Sequence, residues 1–304
     1  MLLVFGSLNV DMLFKVDALP RPGETVLCPS YELAPGGKGA NQAAAAAKAG
    51  AEVRMVGHLG ADSFGGFARG EMAKAGVDCA NIATSNQATA TAVIGVDAAG
   101  ENQIIVASGA NLDTRADQVG DDDLSAEVTL LCQNEIDPEA TFAVLERGKQ
   151  RGARTILNLA PAGAVPTHVL DALDFLVVNE IEAAMAAGTG ESADATELAR
   201  ALATRHDLTA VVTLGGRGAI ALSPTDAFEI GALPVTPRDT TGAGDAFTGV
   251  LAAALDEQRT LPEALQRASV AAGLACTQIG AQTSQPQAAE IEANLSKLPP
   301  ARSI

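Results

Sequence analysis

Tryptophan is absent from this chain of 304 residues, and aromatic residues make up only 3% of it. Proteins that bind single-stranded nucleic acid usually stack the bases on aromatic side chains, and such platforms are scarce here. Positive charge is scarce too, because 20 lysine and arginine residues face 37 aspartate and glutamate residues, a formal net charge of −17. A charge of that sign and size repels phosphate polymers and anionic membranes. The composition therefore argues against nucleic acid and membrane partners.

Cysteine and histidine are few and do not have the spacing of metal ligands. The seven residues form no C-x-x-C pair and no paired ligand motif: they are Cys28, Cys79, Cys132, Cys276, His58, His168 and His206. We expect free thiols in a reducing compartment. The first residues lack the basic segment of a secretion signal, and no uncharged apolar run approaches the roughly 18 residues of a membrane span. The sequence therefore predicts a cytoplasmic protein.

Several familiar motifs are missing. No G-x-G-x-x-G occurs, and the pairs Gly37-Lys38 and Gly148-Lys149 lack the upstream glycine of a G-x-x-x-x-G-K-[ST] loop. Ordinary dinucleotide and P-loop sites are excluded on these grounds, which disfavours an α/β oxidoreductase. No G-x-S-x-G elbow occurs either, which weakens an esterase interpretation. Any anionic ligand must be held by other local features.

Short apolar runs alternate with longer alanine-rich segments along the chain. The apolar runs are residues 2–6, 53–57, 128–133, 155–159, 175–178, 210–214 and 219–222, and the helical segments are 41–49, 64–75, 138–150, 193–205, 245–255, 262–277 and 287–295. Such apolar runs are typical of strands that are buried on both faces. The repeated order of strand and helix predicts an α/β fold with a mostly parallel sheet.

Two stretches, at about residues 12–33 and 88–108, interrupt this order. Both carry alternating patterns and turn residues with no helix between them, and residues 91–96 and 103–106 flank a turn as in a hairpin. Strands inserted at two places can meet as a small second sheet, which often covers an active site as a lid. Ordinary surface hairpins are the alternative. We expect one domain over residues 1–304 with these lid strands inserted.

The most informative segment is Asp239-Thr-Thr-Gly-Ala-Gly-Asp245, where small residues lead into an apolar helix. The backbone N–H groups of Gly242, Ala243 and Gly244 are expected to face outward at the positive helix end, where they can hold a phosphoryl group in transfer. Asp245, in the first turn, can accept a proton from a hydroxyl placed above them. A glycine-rich loop whose aspartate only caps its helix is the alternative.

A second glycine-rich junction, Gly36-Gly-Lys-Gly-Ala-Asn-Gln42, opens another alanine-rich helix. Its paired glycines provide a hinge, and Lys38 and Asn41 offer donors beside the helix N-terminus. Just beyond the first strand, Asn9 and Asp11 lie two residues apart, so both can face one side and bind neighbouring hydroxyls of a polyol. Taken separately, each feature is also typical of an ordinary turn.

Together, the signatures at 36–42 and 239–245 resemble those of the ribokinase, or PfkB, family of sugar and nucleoside kinases. Weaker features follow in the family's order from about residue 2 to about residue 290: Asn9-Val-Asp11, Asn158 with Pro161, Asn179-Glu-Ile-Glu182, Thr213-Leu-Gly-Gly-Arg-Gly218 and Gly280-Ala-Gln282. Each is weak alone, but the ordered set is highly specific. The resemblance implies a ribokinase-like three-layer α/β/α sandwich with a mostly parallel sheet and a small β-sheet lid.

The resemblance also implies an activity, the transfer of the ATP γ-phosphoryl group to a sugar hydroxyl. Asp245 would be the general base and the Gly242 to Gly244 amides the anion hole, since phosphoryl transfer needs positioning and charge neutralisation more than covalent help. The implied sugar contacts are Asn9, Asp11, Gly37, Lys38, Gly39, Asn41, Glu135 and Asp245. The implied nucleotide contacts are Asn179, Thr213, Gly215, Gly218, Gly244 and Ser269.

Two metal ions belong to the implied chemistry. Glu182 resembles the family residue that organises Mg²⁺ through water, although Asn179 and Glu182 also have the spacing of a helix capping box. A K⁺ activator is implied beside the anion hole, with ligands that are mostly backbone carbonyl oxygens. Its implied residues are Asp239, Thr241, Ala275, Gln278, Gly280 and Ser284. The alternative is that Asp239 only caps its loop and the Gly280 turn only packs.

Within the family, the small polar set around Lys38 favours a pentose, and D-ribose is the first candidate. A kinase of another sugar or of a nucleoside stays open, because pocket shape decides specificity. A non-catalytic sugar or nucleotide sensor on the same fold also stays open, although a sensor has no need for a base. Lid strands leave apolar faces and edges to be covered, and the resemblance implies a homodimer through the lid.

Overall fold

The structure, a computed structural model, describes residues 1–188 and 194–304. Its strands are β1 (Leu2–Phe5), β2 (Asn9–Lys15), β3 (Tyr31–Gly36), β4 (Val53–Gly60), β5 (Ile82–Ser85), β6 (Ala90–Val96), β7 (Asn102–Ala107), β8 (Thr129–Gln133), β9 (Arg154–Asn158), β10 (Phe175–Asn179), β11 (Thr209–Thr213), β12 (Ala219–Leu222), β13 (Ala227–Ile230) and β14 (Arg302–Ser303). Its α-helices are α1 (Lys38–Lys48), α2 (Ser63–Lys74), α3 (Pro138–Gln150), α4 (Thr167–Leu170), α5 (Glu180–Ala187), α6 (Ala195–His206), α7 (Ala243–Asp256), α8 (Leu261–Ala275) and α9 (Ala288–Asn294). The first residue of the helix predicted at 193–205 lies outside the described residues.

Ten strands form the central sheet, in the order β14-β13-β12-β11-β10-β9-β8-β1-β4-β5. From β11 to β5 all neighbours pair in parallel, whereas β12, β13 and β14 add antiparallel pairs at one edge. Parallel neighbours need long crossover connections, which the intervening helices supply. The carboxyl ends of the parallel strands therefore meet along one edge of the sheet.

Apolar clusters lie on both faces of this sheet. Leu2 and Val4 of β1 join a cluster with α1, α7 and α8, while Leu3 and Phe5 join one with α3, α5 and α6. All four side chains are completely buried. This arrangement confirms the predicted three-layer α/β/α sandwich. Within the described residues, none of the helices combines the length and the apolar character needed to cross a membrane.

A separate small sheet of four strands, in the order β3-β2-β6-β7, contains both stretches that interrupt the strand and helix order. β2 and β3 pair antiparallel, as do β6 and β7, and the latter pair is the predicted hairpin. β2 and β6 run parallel and join the two pairs. The predicted second sheet is therefore present. The assignment of the whole chain to one domain with inserted lid strands stays a prediction.

Helices α1 and α7 approach so closely that one contact requires glycine. A Cβ atom at Gly249 would lie 2.3 Å from the backbone oxygen of Gln42 and 2.9 Å from the Cβ atom of Ala45. The facing side of α1 consists of small side chains, and the run from Ala43 to Ala46 is completely buried. This close approach lets side chains near the start of α1 reach the start of α7.

Gly249→Ala is expected to lower the free energy of unfolding by about 1 to 3 kcal/mol, because the added methyl group overpacks the interface. Gly66→Ala is the matched control, since Gly66 lies in α2 with no atom within 4 Å of an added Cβ. That control should raise stability by roughly 0.5 to 1 kcal/mol through helix propensity. Urea unfolding measures both changes. Equal stabilisation by the two substitutions would contradict the close packing of α1 on α7.

Candidate active site

The carboxylate of Asp245 lies at the centre of the site. It belongs to the first turn of α7, just after Gly242, whose φ of 76° is in the left-handed region that favours glycine. Only 6% of Asp245 is exposed. Asn41 Nδ2 donates to its Oδ2 atom and Gln42 Nε2 donates to its Oδ1 atom, both at 2.9 Å. The start of α1 therefore holds both carboxylate oxygens.

A chain of buried amides connects this carboxylate to the central sheet. Gln42 Nε2 also donates to Asn158 Oδ1, and Gln133 Nε2 donates to Gln42 Oε1, each at 2.8 Å. Asn158 Nδ2 donates in turn to the backbone oxygen of Val177 at 3.0 Å. Gln42 and Gln133 are completely buried. Neither glutamine was predicted as a site residue, although Gln42 ends the glycine-rich signature. The available signal was a glutamine within an alanine-rich helix and another at the end of an apolar strand.

Asn9 and Asp11 lie at the start of β2, opposite the glycines that precede α1. The strand register pairs Asn9 with Gly36. A Cβ atom at Gly36 would lie 2.2 Å from Asp11 Oδ1, so the carboxylate occupies space that only glycine leaves open. Asn111 Nδ2 donates to Asn9 Oδ1 at 2.8 Å, which leaves the Asn9 amino group as the donor for a ligand. The Asn111 contact was not predicted.

Glu135 connects the end of β1 to the start of α1. Its Oε2 atom accepts from Ser7 Oγ at 2.7 Å and from the Lys38 backbone nitrogen at 2.8 Å. Ser7 Oγ accepts from the Gly39 backbone nitrogen at 3.2 Å. Gly37 begins this turn with a φ of 87°. The predicted residues from 37 to 39 are thus positioned through Glu135, with help from Ser7, which was not predicted.

Negative charge accumulates around Lys38. Burial, together with the charges of Glu135 and Asp245, raises the pKa of Asp11 from 3.8 to about 6. Burial alone would lower the pKa of Lys38, but the charges of Asp245, Glu135 and Glu182 outweigh this effect and raise it above its ordinary value. The site therefore keeps one ammonium group among several carboxylates.

Two adjoining cavities open at the start of α7. The smaller, of about 150 Å³, is lined by Asp245, Lys38 and Gly242, and also by Asn179 and Glu182. The larger, of about 690 Å³, shares two lining residues with it. The predicted anion-hole and nucleotide residues on the larger cavity are Ala243, Thr213, Gly215, Gly218, Gly244 and Ser269. The structure therefore brings the predicted base, the lysine and the nucleotide-side residues to one continuous region.

Glu182 closes a capping box at the start of α5. The Asn179 backbone nitrogen donates to Glu182 Oε2, and the Glu182 backbone nitrogen donates to Asn179 Oδ1, both at 2.8 Å. Burial raises the pKa of Glu182, although the Asn179 hydrogen bond and the Lys38 charge act in the opposite direction. The capping interpretation is therefore correct for this helix. The same side chain also faces the smaller cavity, so capping does not remove it from the site.

The predicted potassium residues fall on two loops that meet at Asp239. Its Oδ1 atom accepts from the Thr241 backbone nitrogen and its Oδ2 atom from that of Gly280, both at 2.9 Å. Partial burial would raise the pKa of Asp239, but these hydrogen bonds lower it below its ordinary value. The other predicted ligands lie at the end of α8 or on the loop after it: Ala275, Gln278 and Ser284. The loops are brought together, while binding of K⁺ stays a prediction.

Known proteins resemble this chain over nearly its whole length. Residues 1–288 match the pfkB family of carbohydrate kinases. The chain is 35% identical to the ribokinase of Haemophilus influenzae, with 94% of this chain and 95% of that protein covered. A solved ribokinase from Thermotoga maritima has a TM-score of 0.90 at 32% identity, with 97% and 99% of the two chains covered. Arabidopsis thaliana ribokinase, complexed with ribose and ATP, has a TM-score of 0.88 at 29% identity, with 97% and 98% covered.

Asp11→Asn is expected to stabilise the unliganded protein by about 1 to 3 kcal/mol at pH 8. The folded-state pKa of Asp11 is raised to about 6, so its ionised form is disfavoured by folding above that pH. The penalty shrinks as pH falls from about 6 to about 4, because the folded protein then takes up the proton. The stabilisation at pH 4.5 should therefore be about one third of that at pH 8. Urea unfolding at both pH values measures it.

Asp122→Asn is the control, because Asp122 is exposed and its substitution relieves the same unit of the −17 net charge. That control should change stability little and without this pH dependence. An Asp11→Asn effect that is equal at pH 8 and pH 4.5 would contradict the electrostatic description of the site.

Proposed function

The chain belongs to the pfkB family of carbohydrate kinases, and from this membership we propose that it is an ATP-dependent ribokinase. It transfers the γ-phosphoryl group of ATP to D-ribose and yields D-ribose 5-phosphate and ADP. The observation that carries the proposal is the buried Asp245 carboxylate beside a helix N-terminus, between sugar-side polar groups and a cavity large enough for a nucleotide. Full-length similarity to ribokinases supports the same substrate.

The reaction is an in-line displacement in which Asp245 is the general base. The proton of the ribose 5-hydroxyl moves to Asp245 as the hydroxyl oxygen forms a bond to the γ-phosphorus and the bond to the ADP oxygen breaks. The amides of Gly242, Ala243 and Gly244 stabilise the charge on the transferring group from the positive end of α7. The Ala243 N–H donates to the Thr240 oxygen at 3.2 Å, the upper end of the ordinary range, so binding the anion there would exchange this bond for a charge-assisted one.

The sugar is held between the small sheet and α1. Asn9 and Asp11 bind neighbouring hydroxyls from β2, while Lys38 and Asn41 bind from α1. Glu135 completes the set, with Gly37 and Gly39 contributing backbone close to the sugar. The larger cavity receives ATP, with Thr213, Gly215, Gly218 and Ser269 along its wall and Asn179 and Gly244 toward the phosphates.

The residues of this site fit a divalent metal ion that is bound by phosphate oxygens and water rather than directly by side chains. Across the part of the chain that the structure describes, no three histidine, cysteine, aspartate or glutamate side chains group as direct ligands. Glu182, buried and facing the smaller cavity, would hold Mg²⁺ through water. Bound Mg²⁺ neutralises phosphate charge during transfer.

The small sheet also supports a dimer. Ile104, Ile105 and Val106 of β7 are 54%, 72% and 57% exposed, which leaves an apolar edge strand for another chain to cover. We propose a cytoplasmic homodimer through this sheet, which is the lid of the sugar site. Sedimentation velocity tests it, and a monomer at micromolar concentration would contradict it.

An acceptor panel tests the proposed substrate directly. ADP release from MgATP is measured with D-ribose, other pentoses, hexoses and nucleosides at equal concentrations. We expect the highest kcat/KM with D-ribose. A larger kcat/KM with a hexose or a nucleoside would replace the substrate, and no release with any acceptor would favour a sensor.

Asp245→Asn is expected to lower kcat by roughly 10² to 10⁴, the usual contribution of a positioned general base. The fold should survive, because the buried Asn41 Oδ1 has no partner among the described residues and a flipped Asn41 can accept from the new amide. Thermal melting and ATP titration verify folding and nucleotide binding. A kcat close to wild type would remove Asp245 from the mechanism.

Replacing Na⁺ by K⁺ is expected to raise kcat several-fold, if the Asp239 and Gly280 loops bind the larger cation beside the anion hole. Ionic strength must be constant, because a net charge of −17 responds to salt for unrelated reasons. Asp239→Ala should abolish the difference, while the control Asp226→Ala, on an exposed turn, should keep it. Equal rates in Na⁺ and K⁺ for the wild-type enzyme would refute the ion site.

A further inference from the structure

Asp245 is held by two amides that differ in one important respect. Asn41, at the start of α1, lies among the residues proposed to bind the sugar. Gln42 is completely buried, and it donates to Oδ1, the carboxylate oxygen to which Asn41 does not donate. Because it is buried, the Gln42 amide is not accessible to the sugar or to ATP.

The orientation of the Gln42 amide is determined by its partners. The Asp245 carboxylate can only accept, so the Gln42 amino group must face it. The same amino group donates to Asn158 Oδ1, and the Gln42 oxygen accepts from Gln133. Every polar atom of the Gln42 side chain is thus engaged.

Both anchors of Gln42 belong to the central sheet. Gln133 is the last residue of β8 and Asn158 the last residue of β9, and these strands are parallel neighbours paired at those two positions. Gly249 keeps the α1 backbone against α7 at the level of Gln42. The orientation of the Asp245 carboxylate is therefore fixed by hydrogen bonds that lead to the central sheet, as well as by its own helix.

We propose that Gln42 is a positioning residue for phosphoryl transfer, which fixes the plane of the Asp245 carboxylate so that its basic oxygen faces the acceptor hydroxyl. The inference deepens the proposed kinase function and rests on it. Gln42 touches neither substrate, so its loss should lower the rate of the chemical step and leave substrate binding almost unchanged. A small misplacement of a catalytic group is enough for a large loss of rate.

Gln42→Met keeps the length of the side chain and removes the amide. We expect kcat to fall about 10- to 100-fold, with KM for ribose and for ATP within about threefold of wild type. Gln266→Met is the matched control, because Gln266 Nε2 bonds the backbone oxygens of Leu295 and Leu298, on the C-terminal segment. That control should lower the melting temperature without lowering kcat.

The decisive measurement is a double-mutant cycle with Asp245→Asn. If Gln42 acts through Asp245, adding Gln42→Met to Asp245→Asn should change the residual kcat less than threefold. An equal fall of kcat in both backgrounds would show a merely structural role and overturn the proposal. Should Gln42→Met fail to fold, Gln133→Met removes only the outer link and should give a smaller loss of kcat with the same non-additivity.

A second readout does not depend on activity. In a crystal structure of the Gln42→Met variant, the Asp245 carboxylate should be rotated or should occupy two conformers. An unchanged single conformer would overturn the positioning role even where the wild-type enzyme phosphorylates ribose. A wild-type protein that is inactive with every acceptor would instead overturn the proposed function, while the orientation of the carboxylate could still be measured.

Discussion

The contact between α1 and α7 is the constraint on which the rest of the site depends. At Gly249 the two helices approach to a distance that no side chain permits, so the first turns of both helices are placed with little freedom. One of these turns carries Asp245 and the amides around Gly244, and the other carries Lys38 and Asn41. Because the helices are in direct contact at this point, their packing constrains the distance between the Asp245 carboxylate and the side chains of Lys38 and Asn41, the groups proposed to act on the two substrates.

Three carboxylates of the site, those of Asp11, Glu135 and Asp245, repel one another, and this repulsion bears on ligand binding. Asp11 is partly buried near Glu135 and Asp245, and burial together with these charges raises its pKa to about 6, so folding disfavours its ionised form. The Lys38 ammonium interacts favourably with Asp245, Glu135 and Glu182. In the proposed complex, sugar hydroxyls would donate to the Asp11 carboxylate and compensate part of the cost of its burial. If Asp11 recognises the sugar as proposed, ligand binding and relief of this local instability would go together, and a residue chosen for recognition would be one that weakens the unliganded fold.

Local patterns were enough to predict much of the fold and both glycine-rich turns. All seven predicted buried strands are present, because apolar runs and their helices are encoded within a few residues. The short strands β5 and β14 at the two edges of the sheet, and β13 next to β14, were missed, since they carry mixed polarity and depend on neighbours for pairing. Contacts such as Ser7 with Glu135 or Gln42 with Gln133 join residues 128 and 91 positions apart. No local pattern reveals such pairs, because the fold alone brings them together.

The loop after α8 supports the proposed anion hole, although it lies far from residues 239–245 in the sequence. A Cβ atom at Gly242 would lie 2.8 Å from the Cα atom of Ala281, so this loop packs directly beneath the start of α7. Gln285 Nε2 donates to the Ala281 oxygen at 2.7 Å, and Lys48 Nζ donates to the Gln282 oxygen at 2.7 Å. Lys48 is the last residue of α1, the helix whose first residues are proposed to bind the sugar. Helix α1 therefore contacts both the Asp245 carboxylate and the loop beneath the proposed anion hole, so a cation bound near Asp239 would refine a geometry that protein atoms already hold.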